Sequence, residues 1–326
     1  MKETILKILR ETDGYVSGQK LCELLGVSRT AVWKAINQLR EEGYEIDSVN
    51  NKGYQLNHVP DVMSEAEILS QLETNWLGHP LYYFDSIDST NNYAKKLAEE
   101  GAGHGTVVIG DQQTAGKGRL GRSWTSPRGC AVYISYLLRP DILPVHASQL
   151  TIVAALATAK AVEEVTGLDC GIKWPNDIVV DGRKVCGILT EMTADMDQVH
   201  YVVIGIGVNV NMTEFDEAIR DTATSLRLKT GEMVSRASII LSMLRYFEKY
   251  YENFLEHEDL SGILEEYNSR LVNRNRQVRI LERRGEWTAI ARSMNAQGEL
   301  VVETEDGKQH NILSGEVSVR GIYGYV

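Results

Sequence analysis

From Ser17 to Leu39 the chain reads SGQKLCELLGVSRTAVWKAINQL, with apolar residues at helical intervals on both sides of Gly26. Leu21, Leu24 and Leu25 predict the apolar stripe of a short helix that Ser17 caps and Gly26 ends, a left-handed position that glycine takes without a Cβ penalty. Ser28 is placed to cap a second helix, in which Val32, Ile36 and Leu39 fall at i, i+4 and i+7 and face a core. Its other side carries Arg29, Thr30, Trp33, Lys34 and Asn37. The amphipathic stretch MKETILKILRETDG comes before this pair. After it, Glu45 to Leu56 alternates about Asn50-Asn51-Lys52-Gly53, the pattern of a hairpin. Together these elements predict a winged helix-turn-helix. The polar face, with Ser28 at its start and Lys52 on the hairpin tip, suits a DNA major groove; a small helical interaction domain with a solvated face gives the same periodicity.

Pro60 and its polar surroundings predict a boundary near 58–64. Beyond it a capped helix is expected at Ser64–Leu72, strands at Pro80–Phe84, Thr106–Gly110, Cys130–Leu138 and Val199–Asn211, and helices at Tyr93–Glu99 and Val145–Thr166. Val179 and Val180 are expected to meet Val185 through Ile188 across Asp181-Gly182, a strong hairpin signal. A helix is predicted from Ser235 to about Leu271, with Ile239, Met243, Leu244, Phe247, Tyr250 and Phe254 on one face. From Asn275 onward short alternating strands, with turns at Arg284-Gly285, Gln297-Gly298 and Asp306-Gly307, predict a small barrel. The short connections imply a mostly antiparallel sheet with helices on one side, an α+β multidomain protein divided at 1–60, 64–272 and 273–326.

Charge changes the picture only when it is divided along the chain. Residues 1–57 hold eight Lys/Arg and eight Asp/Glu, so the 26 basic and 37 acidic residues that follow carry the whole net charge of −11. A neutral N-terminal module can bind DNA through one face, but strong non-specific affinity is not expected. No apolar run is expected to reach the roughly 20 residues of a membrane span, and the N-terminus lacks an apolar signal core, which predicts a cytoplasmic protein without a membrane partner. Cys22, Cys130, Cys170 and Cys186 make no zinc spacing and read as packed, reduced thiols. The seven histidines form no paired metal motif.

Candidate chemistry concentrates in Gly110–Gly129, GDQQTAGKGRLGRSWTSPRG. Glycines beside Lys117, Arg119, Arg122 and Arg128 permit close backbone approach to an anion, and Trp124 offers a flat face for a ring. The spacing is neither that of a Walker loop nor of a dinucleotide fold; a flexible surface loop is the plain alternative. Asp88-Ser89-Thr90-Asn91 at a strand-to-helix turn can cap a helix, bind a ligand, or do both. Lys184, two residues past the Asp181-Gly182 turn, reads equally as a solvated edge charge. Gly205 and Gly207 allow close approach to the last strand of the sheet.

Taken in order, DSTN at 88–91, GKGRLGRSW at 116–124, KWPNDI at 173–178, GRKVCGIL at 182–189 and GIGVNVN at 205–211 resemble the signature blocks of the bifunctional biotin protein ligase and biotin operon repressor family. The winged helix resembles that of its DNA-binding members, so the likeness spans the chain. It implies a class II synthetase-like ligase domain with a mixed or antiparallel sheet, followed by an SH3-like barrel. It also implies a two-step reaction, in which biotin and ATP give biotinyl-5'-AMP and pyrophosphate and a lysine of a biotin carboxyl carrier protein then takes the biotin. Ser89, Thr90, Asn91, Gln113, Lys117, Gly118, Arg119, Lys184 and Gly187 are the implied biotin contacts. Arg119, Arg122, Trp124, Lys184 and Asn209 are implied for ATP and the adenylate, with Trp124 stacking on adenine and Asn209 hydrogen bonding to it. Arg119, Arg122, Lys184 and Asp177 are the implied catalytic residues, Asp177 to orient the cations or to assist the metal or the incoming amine, with Mg2+ neutralising pyrophosphate and no protein metal ligands. Lys117 stands where the family commonly has Arg and cannot form the same bidentate fork, so only a backbone contact is implied there. The implied partners are the carrier protein of acetyl-CoA carboxylase or pyruvate carboxylase, biotin operon DNA, and a second copy of the chain when adenylate is bound. Lipoate ligases share the fold, and a sensor that has lost its chemistry would share the winged helix. The KWPND and GRKVCGIL blocks argue against the first, and Arg119, Arg122 and Lys184 together against the second.

Overall fold

The computed structural model describes residues 1–282, 285–313, 318–321 and 325. The chain divides into two units, residues 1–73 with 235–237, and residues 74–234 with 238–326.

In the first unit α1 (Lys2–Glu11), α2 (Gly18–Leu25) and α3 (Arg29–Glu41) precede an antiparallel hairpin of β1 (Glu45–Val49) and β2 (Gly53–His58), then a short α4 (Glu65–Leu69). The caps follow from the sequence: Ser17 Oγ accepts from Lys20 N at 3.1 Å and Ser28 Oγ from Ala31 N at 3.3 Å, and Gly26 ends α2 at φ 65°. Leu21, Val32, Ile36 and Leu39 are buried with Ile5, Leu6 and Leu9 of α1. Leu24 departs from the expected stripe and is 58% exposed; Leu21 and Leu25, four residues apart, share the inward face and Leu24 turns out of it. Glu67 is 2% exposed, and its carboxylate accepts from Arg10 Nη2 at 2.6 and 2.8 Å and from Tyr44 OH at 2.6 Å. This pairing is what makes a buried charge tolerable. Within the same unit Asp61 accepts from Arg236 N at 2.9 Å and Nε at 2.7 Å.

The second unit is built on a seven-stranded sheet of β3 (Leu81–Phe84), β4 (Thr106–Gly110), β5 (Ala131–Leu138), β6 (Gly171–Lys173), β7 (Asp177–Val180), β8 (Arg183–Ala194) and β9 (Val199–Asn209). Their order is β3-β4-β5-β9-β8-β7-β6, antiparallel throughout except for the parallel β3–β4 pair. The helices α5 (Thr90–Glu99), α6 (Gln149–Thr166), α7 (Leu226–Thr230), α8 (Arg236–His257) and α9 (Leu264–Arg270) accompany it. Helices on one side only were expected, and the register corrects this. Asn91 of α5 bonds Glu191, which pairs with Val203, whereas Thr151 of α6 bonds Thr190, which pairs with Ile204. Successive strand residues point to opposite faces, so α5 and α6 cover opposite sides. Tyr136 pairs with Ile204 and its ring lies 4.9 Å from Phe247 of α8, which puts α8 on the α6 side.

Three further expectations need correction. Pro144–Thr166 is long and apolar enough to cross a bilayer by composition, but 78% of that window is buried inside the protein as a core helix. The single helix predicted to Leu271 is two, because Glu258 takes φ 57° and Leu260 N leaves the helical ladder for Ala296 O at 2.9 Å. The Asp181-Gly182 turn forms with φ 49° and 73°, yet it sets Val180 opposite Arg183 and Val179 opposite Lys184, with a bulge that leaves Val185 unpaired.

The C-terminal strands β10 (Arg276–Glu282), β11 (Gly285–Met294), β12 (Leu300–Glu303), β13 (Gln309–Ile312) and β14 (Ser318–Gly321) form an antiparallel sheet in the order β13-β12-β11-β10-β14. Gly298 and Gly307 take positive φ at two of the expected turns; Arg284, of the third, lies outside the described residues. The turn at Gln297-Gly298 is anchored by Gln149 Nε2 and Trp174 Nε1, which donate to its two carbonyls at 3.1 and 3.0 Å.

Candidate active site

A cavity of about 1320 Å³ opens on the α5 face of the large sheet. Every ligase-site residue expected from the sequence lines it, drawn from the α5 N-terminus, the 110–129 loop, the 173–177 loop, the β8 hairpin and β9.

One end is a chain of neutral hydrogen-bonding groups. Ser89 Oγ caps α5 by accepting from Asn92 N at 3.5 Å, so the capping role of the DSTN cluster is realised. Thr90 N and Oγ1 both donate to Gln113 Oε1, at 2.9 and 3.1 Å, and Gln113 Nε2 donates to Ser126 Oγ at 3.0 Å. Asn91 Oδ1 accepts from Ser135 Oγ at 2.6 Å and its Nδ2 donates to Glu191 Oε2 at 2.8 Å. Gly205 makes this possible, since a Cβ there would lie 2.1 Å from Asn91 Oδ1.

The other end is cationic. Lys184 Nζ lies 2.5 Å from Asp177 Oδ1 and 5.1 Å from the centroid of the Trp124 ring. Arg119 Nη1 donates to Asn176 Oδ1 at 2.6 Å. Burial holds the Arg119 guanidinium below its ordinary pKa; Asp177 opposes this and Arg122 adds to it. Tyr325 OH donates to Asp177 Oδ2 at 2.5 Å, and its ring receives Lys173 Nζ at 3.6 Å from the centroid. Between the two ends stands Trp124, whose indole packs where Cβ atoms on Gly187 and Gly207 would intrude, at 2.9 and 2.8 Å. Such a site can hold a small neutral ring at one end and a polyanion at the other.

Two predicted contacts, at Gly118 N and Asn209 Nδ2, are already engaged by the protein itself, as is the side chain of Lys117, where only a backbone contact was implied. Gly118 N donates to Arg122 O at 2.7 Å, Lys117 Nζ to Asn92 Oδ1 at 3.0 Å, and Asn209 Nδ2 to Thr224 O at 3.1 Å. Asn209 therefore braces the segment that follows β9. That segment, with Met212, Phe215 and Ile219, also lines the cavity, as do Asn176 and Tyr325; sequence reasoning missed all five. Asn176 stands inside the KWPND block and Ser135 is a lone hydroxyl in the apolar strand AVYISYLL, so both left a signal. Tyr325 left none. Among the described residues no group of three His, Cys, Asp or Glu could hold a metal ion. Cys170 and Cys186 are buried and Cys22 and Cys130 half-buried; burial pushes the Cys170 thiol up to about 12 and raises Cys186 further.

In the winged helix, Arg29, Thr30, Lys34 and Lys52 are exposed, as is Trp33 at 54%. Arg29 Nη2 reaches Gln19 Oε1 at 3.0 Å and Lys52 Nζ lies 5.7 Å from the Tyr15 ring centroid. Ser28 serves as the α3 cap, and half-buried Asn37 accepts from Arg40 Nη1 at 3.3 Å.

The sequence profile of the biotin/lipoate A/B protein ligase family matches residues 83–209, an HTH domain profile matches 2–55, and the biotin protein ligase C-terminal domain profile matches 275–320. The bifunctional ligase/repressor BirA of Bacillus subtilis is 42% identical over 316 residues, 94% of this chain and 96% of its own. The chain belongs to the bifunctional ligase/repressor BirA family. The family member from Escherichia coli is 32% identical over 93% of this chain and 92% of its own. Among solved structures, the biotin protein ligase from Aquifex aeolicus in complex with biotin and ATP superposes with a TM-score of 0.65 at 33% identity, covering 74% of this chain and 98% of that one.

Proposed function

We propose that this BirA-family chain is an ATP-dependent biotin protein ligase and a DNA-binding repressor of biotin synthesis genes, with biotinyl-5'-AMP as intermediate and corepressor. One observation carries the reading: a single cavity joins a neutral hydrogen-bonding end to a cationic end, with an aromatic face between them. Biotin's ring would sit at Ser89, Thr90, Asn91 and Gln113, near Gly187 and the Lys117-Gly118 backbone. Its carboxylate would point toward Arg119 and Lys184. In the first step a carboxylate oxygen attacks the α-phosphorus of ATP and the bond to pyrophosphate breaks. Two anions must approach, so Arg119 and Lys184, held by Asn176 and Asp177, together with Arg122 would lower a barrier made largely of charge repulsion. Asp177 aims Lys184. In the second step the neutral amine of the acceptor lysine attacks the carbonyl carbon, loses a proton, and AMP departs.

Magnesium would arrive on the phosphates of ATP and neutralise the pyrophosphate as it leaves. We further infer the domain division 1–60, 64–272 and 273–326, cytoplasmic action, acceptor domains of the biotin carboxyl carrier type, and an adenylate-bound homodimer on a two-half-site operator. The deciding experiment mixes the protein with ATP, magnesium, an acceptor domain and either biotin or lipoate. Mass spectrometry should find biotin on the acceptor lysine; lipoate there instead would reverse the reading.

A further inference from the structure

Glu191 takes no part in the chemistry described above, yet it begins an unbroken line of hydrogen bonds that ends at the wall of the cavity. Its Oε1 accepts from Lys95 Nζ at 2.9 Å and its Oε2 from Asn91 Nδ2 at 2.8 Å. Burial alone would raise this carboxyl, but the bonds from Lys95 and Asn91 outweigh it and leave the group below its ordinary value. An ionised carboxylate only accepts, so Asn91 must turn its NH2 toward Glu191. The main-chain oxygen of Leu189, at a longer 3.4 Å, asks for the same orientation. Asn91 Oδ1 then faces Ser135, which is fully buried in the middle of β5. An amide oxygen has no hydrogen, so the 2.6 Å contact spends the one hydroxyl hydrogen of Ser135. Ser135 Oγ is left as an acceptor, 2.8 Å from Thr90 Oγ1. Thr90 in turn has one hydrogen and two takers inside the protein, Ser135 Oγ and Gln113 Oε1. Whichever receives it, none remains for the cavity, and Thr90 Oγ1 faces a ligand as an acceptor only. Gln113 Nε2 gives one hydrogen to Ser126 and keeps the second. Thr90 and Gln113 therefore offer one acceptor beside one donor.

We infer that Glu191, held by Lys95, is a positioning residue that sets the direction of this chain and so tunes the pocket to a ring bearing N–H next to C=O. This rests on the biotin ligase reading and deepens it: a cyclic urea has such an edge, and a dithiolane ring has none. A site built to hydrogen-bond a polar group discriminates strongly against an analogue that lacks it.

The test is calorimetric binding to the full-length chain. In Glu191→Gln, Lys95 keeps the new amide oxygen and turns its NH2 to Asn91. The Asn91 carboxamide flips, and Ser135 gives its hydrogen to Thr90 Oγ1, which gives its own to Gln113 and keeps one lone pair for the ligand where it had two. Biotin affinity should fall about tenfold to a hundredfold, the span of one hydrogen bond with charge assistance. A biotin analogue with the ring N–H groups replaced by oxygen should bind the wild type more weakly and lose little further in Glu191→Gln. Adding Lys95→Met to Glu191→Gln removes the bias and should recover part of the affinity. Unchanged biotin binding by Glu191→Gln, or an equal loss for biotin and the analogue, would overturn the positioning role alone. Failure of the wild-type chain to bind biotin would overturn the ligase reading, and this inference with it.

Discussion

Lys184 gains its importance from its neighbours rather than from its place on a strand. An exposed lysine beside a turn is ordinarily an edge charge, but here Asp177 at 2.5 Å and the Trp124 ring at 5.1 Å hold the ammonium at the cavity. Lys184→Ala should slow adenylate formation about a hundredfold to a thousandfold, the usual effect of removing one preorganised charge-stabilising group. Pyrophosphate release measures this, and a wild-type rate would remove Lys184 from the mechanism. His104 supports a prediction of a different kind. Burial holds its imidazole below the ordinary value of 6.5, and Arg139 N donates to Nδ1 at 3.0 Å. A lowered histidine means that the unfolded chain binds the proton more readily, so stability rises with pH through this window. The group costs nothing above about pH 6.5 and destabilises the fold progressively as pH falls below it. Melting temperatures of His104→Gln should therefore decline less steeply than wild type between about pH 6.5 and 5; parallel curves would show that another group dominates.

At the scale of elements, β9 decides how the cavity is partitioned. Gly205 and Gly207 stand two residues apart on the same face, one beside Asn91 and the other beside the Trp124 indole. Gly205→Ala would push a Cβ to 2.1 Å from Asn91 Oδ1, and Gly207→Ala one to 2.8 Å from Trp124 Nε1. The first should weaken biotin binding and the second ATP binding, each by tenfold or more, since a displaced wall loses its hydrogen bonds or its stacking face. Separate titrations with biotin and with ATP distinguish them, and equal losses of both ligands in either variant would refute the division. The sequence made these glycines legible as points of close approach, but it did not reveal that the approaching groups are the protein's own side chains. The same limit explains the rest of the site. Local signals, such as the Ser17 and Ser28 caps, the Asp181-Gly182 turn and the glycine-cation loop, are written in neighbouring residues and were readable. Asn176 is legible as part of the KWPND block, but its pairing with Arg119, like Thr224 engaging Asn209 and Tyr325 on Asp177, is tertiary and leaves no local trace. Nor can alternation along a strand reveal which face a distant helix covers, which is why helices on both sides of the sheet were not foreseen.

For the whole molecule, the distribution of charge bears on the repressor function. Residues 1–57 are neutral and everything after them carries the −11, so the net charge of the protein opposes DNA, and Arg29, Lys34 and Lys52 are among the exposed cations that offset it. Operator binding must then rest on few phosphate contacts, and its affinity should fall gently with salt, because each phosphate neutralised adds about 0.9 to the slope of log affinity against log salt. Replacing Lys34 by Ala in the full chain should weaken binding to all sequences alike and reduce that slope by about 1. A steep slope that Lys34→Ala leaves unchanged would mean that other cations hold the DNA. Deletion of residues 1–60 goes further: it removes the core of Ile5, Leu6, Val32, Ile36 and Leu39 together with the whole basic face. Operator binding should vanish, while biotinylation of the carrier persists at least in part, because every residue lining the cavity lies beyond the deletion. The truncation also strips Glu67 of Arg10 and Tyr44. The same deletion removes the core that covers this carboxylate, so Glu67 meets water and keeps Gln71 Nε2 at 2.9 Å as a donor. Gel shift and carrier biotinylation together separate these outcomes, and a truncated protein that still shifts operator DNA would place the DNA contact outside the winged helix.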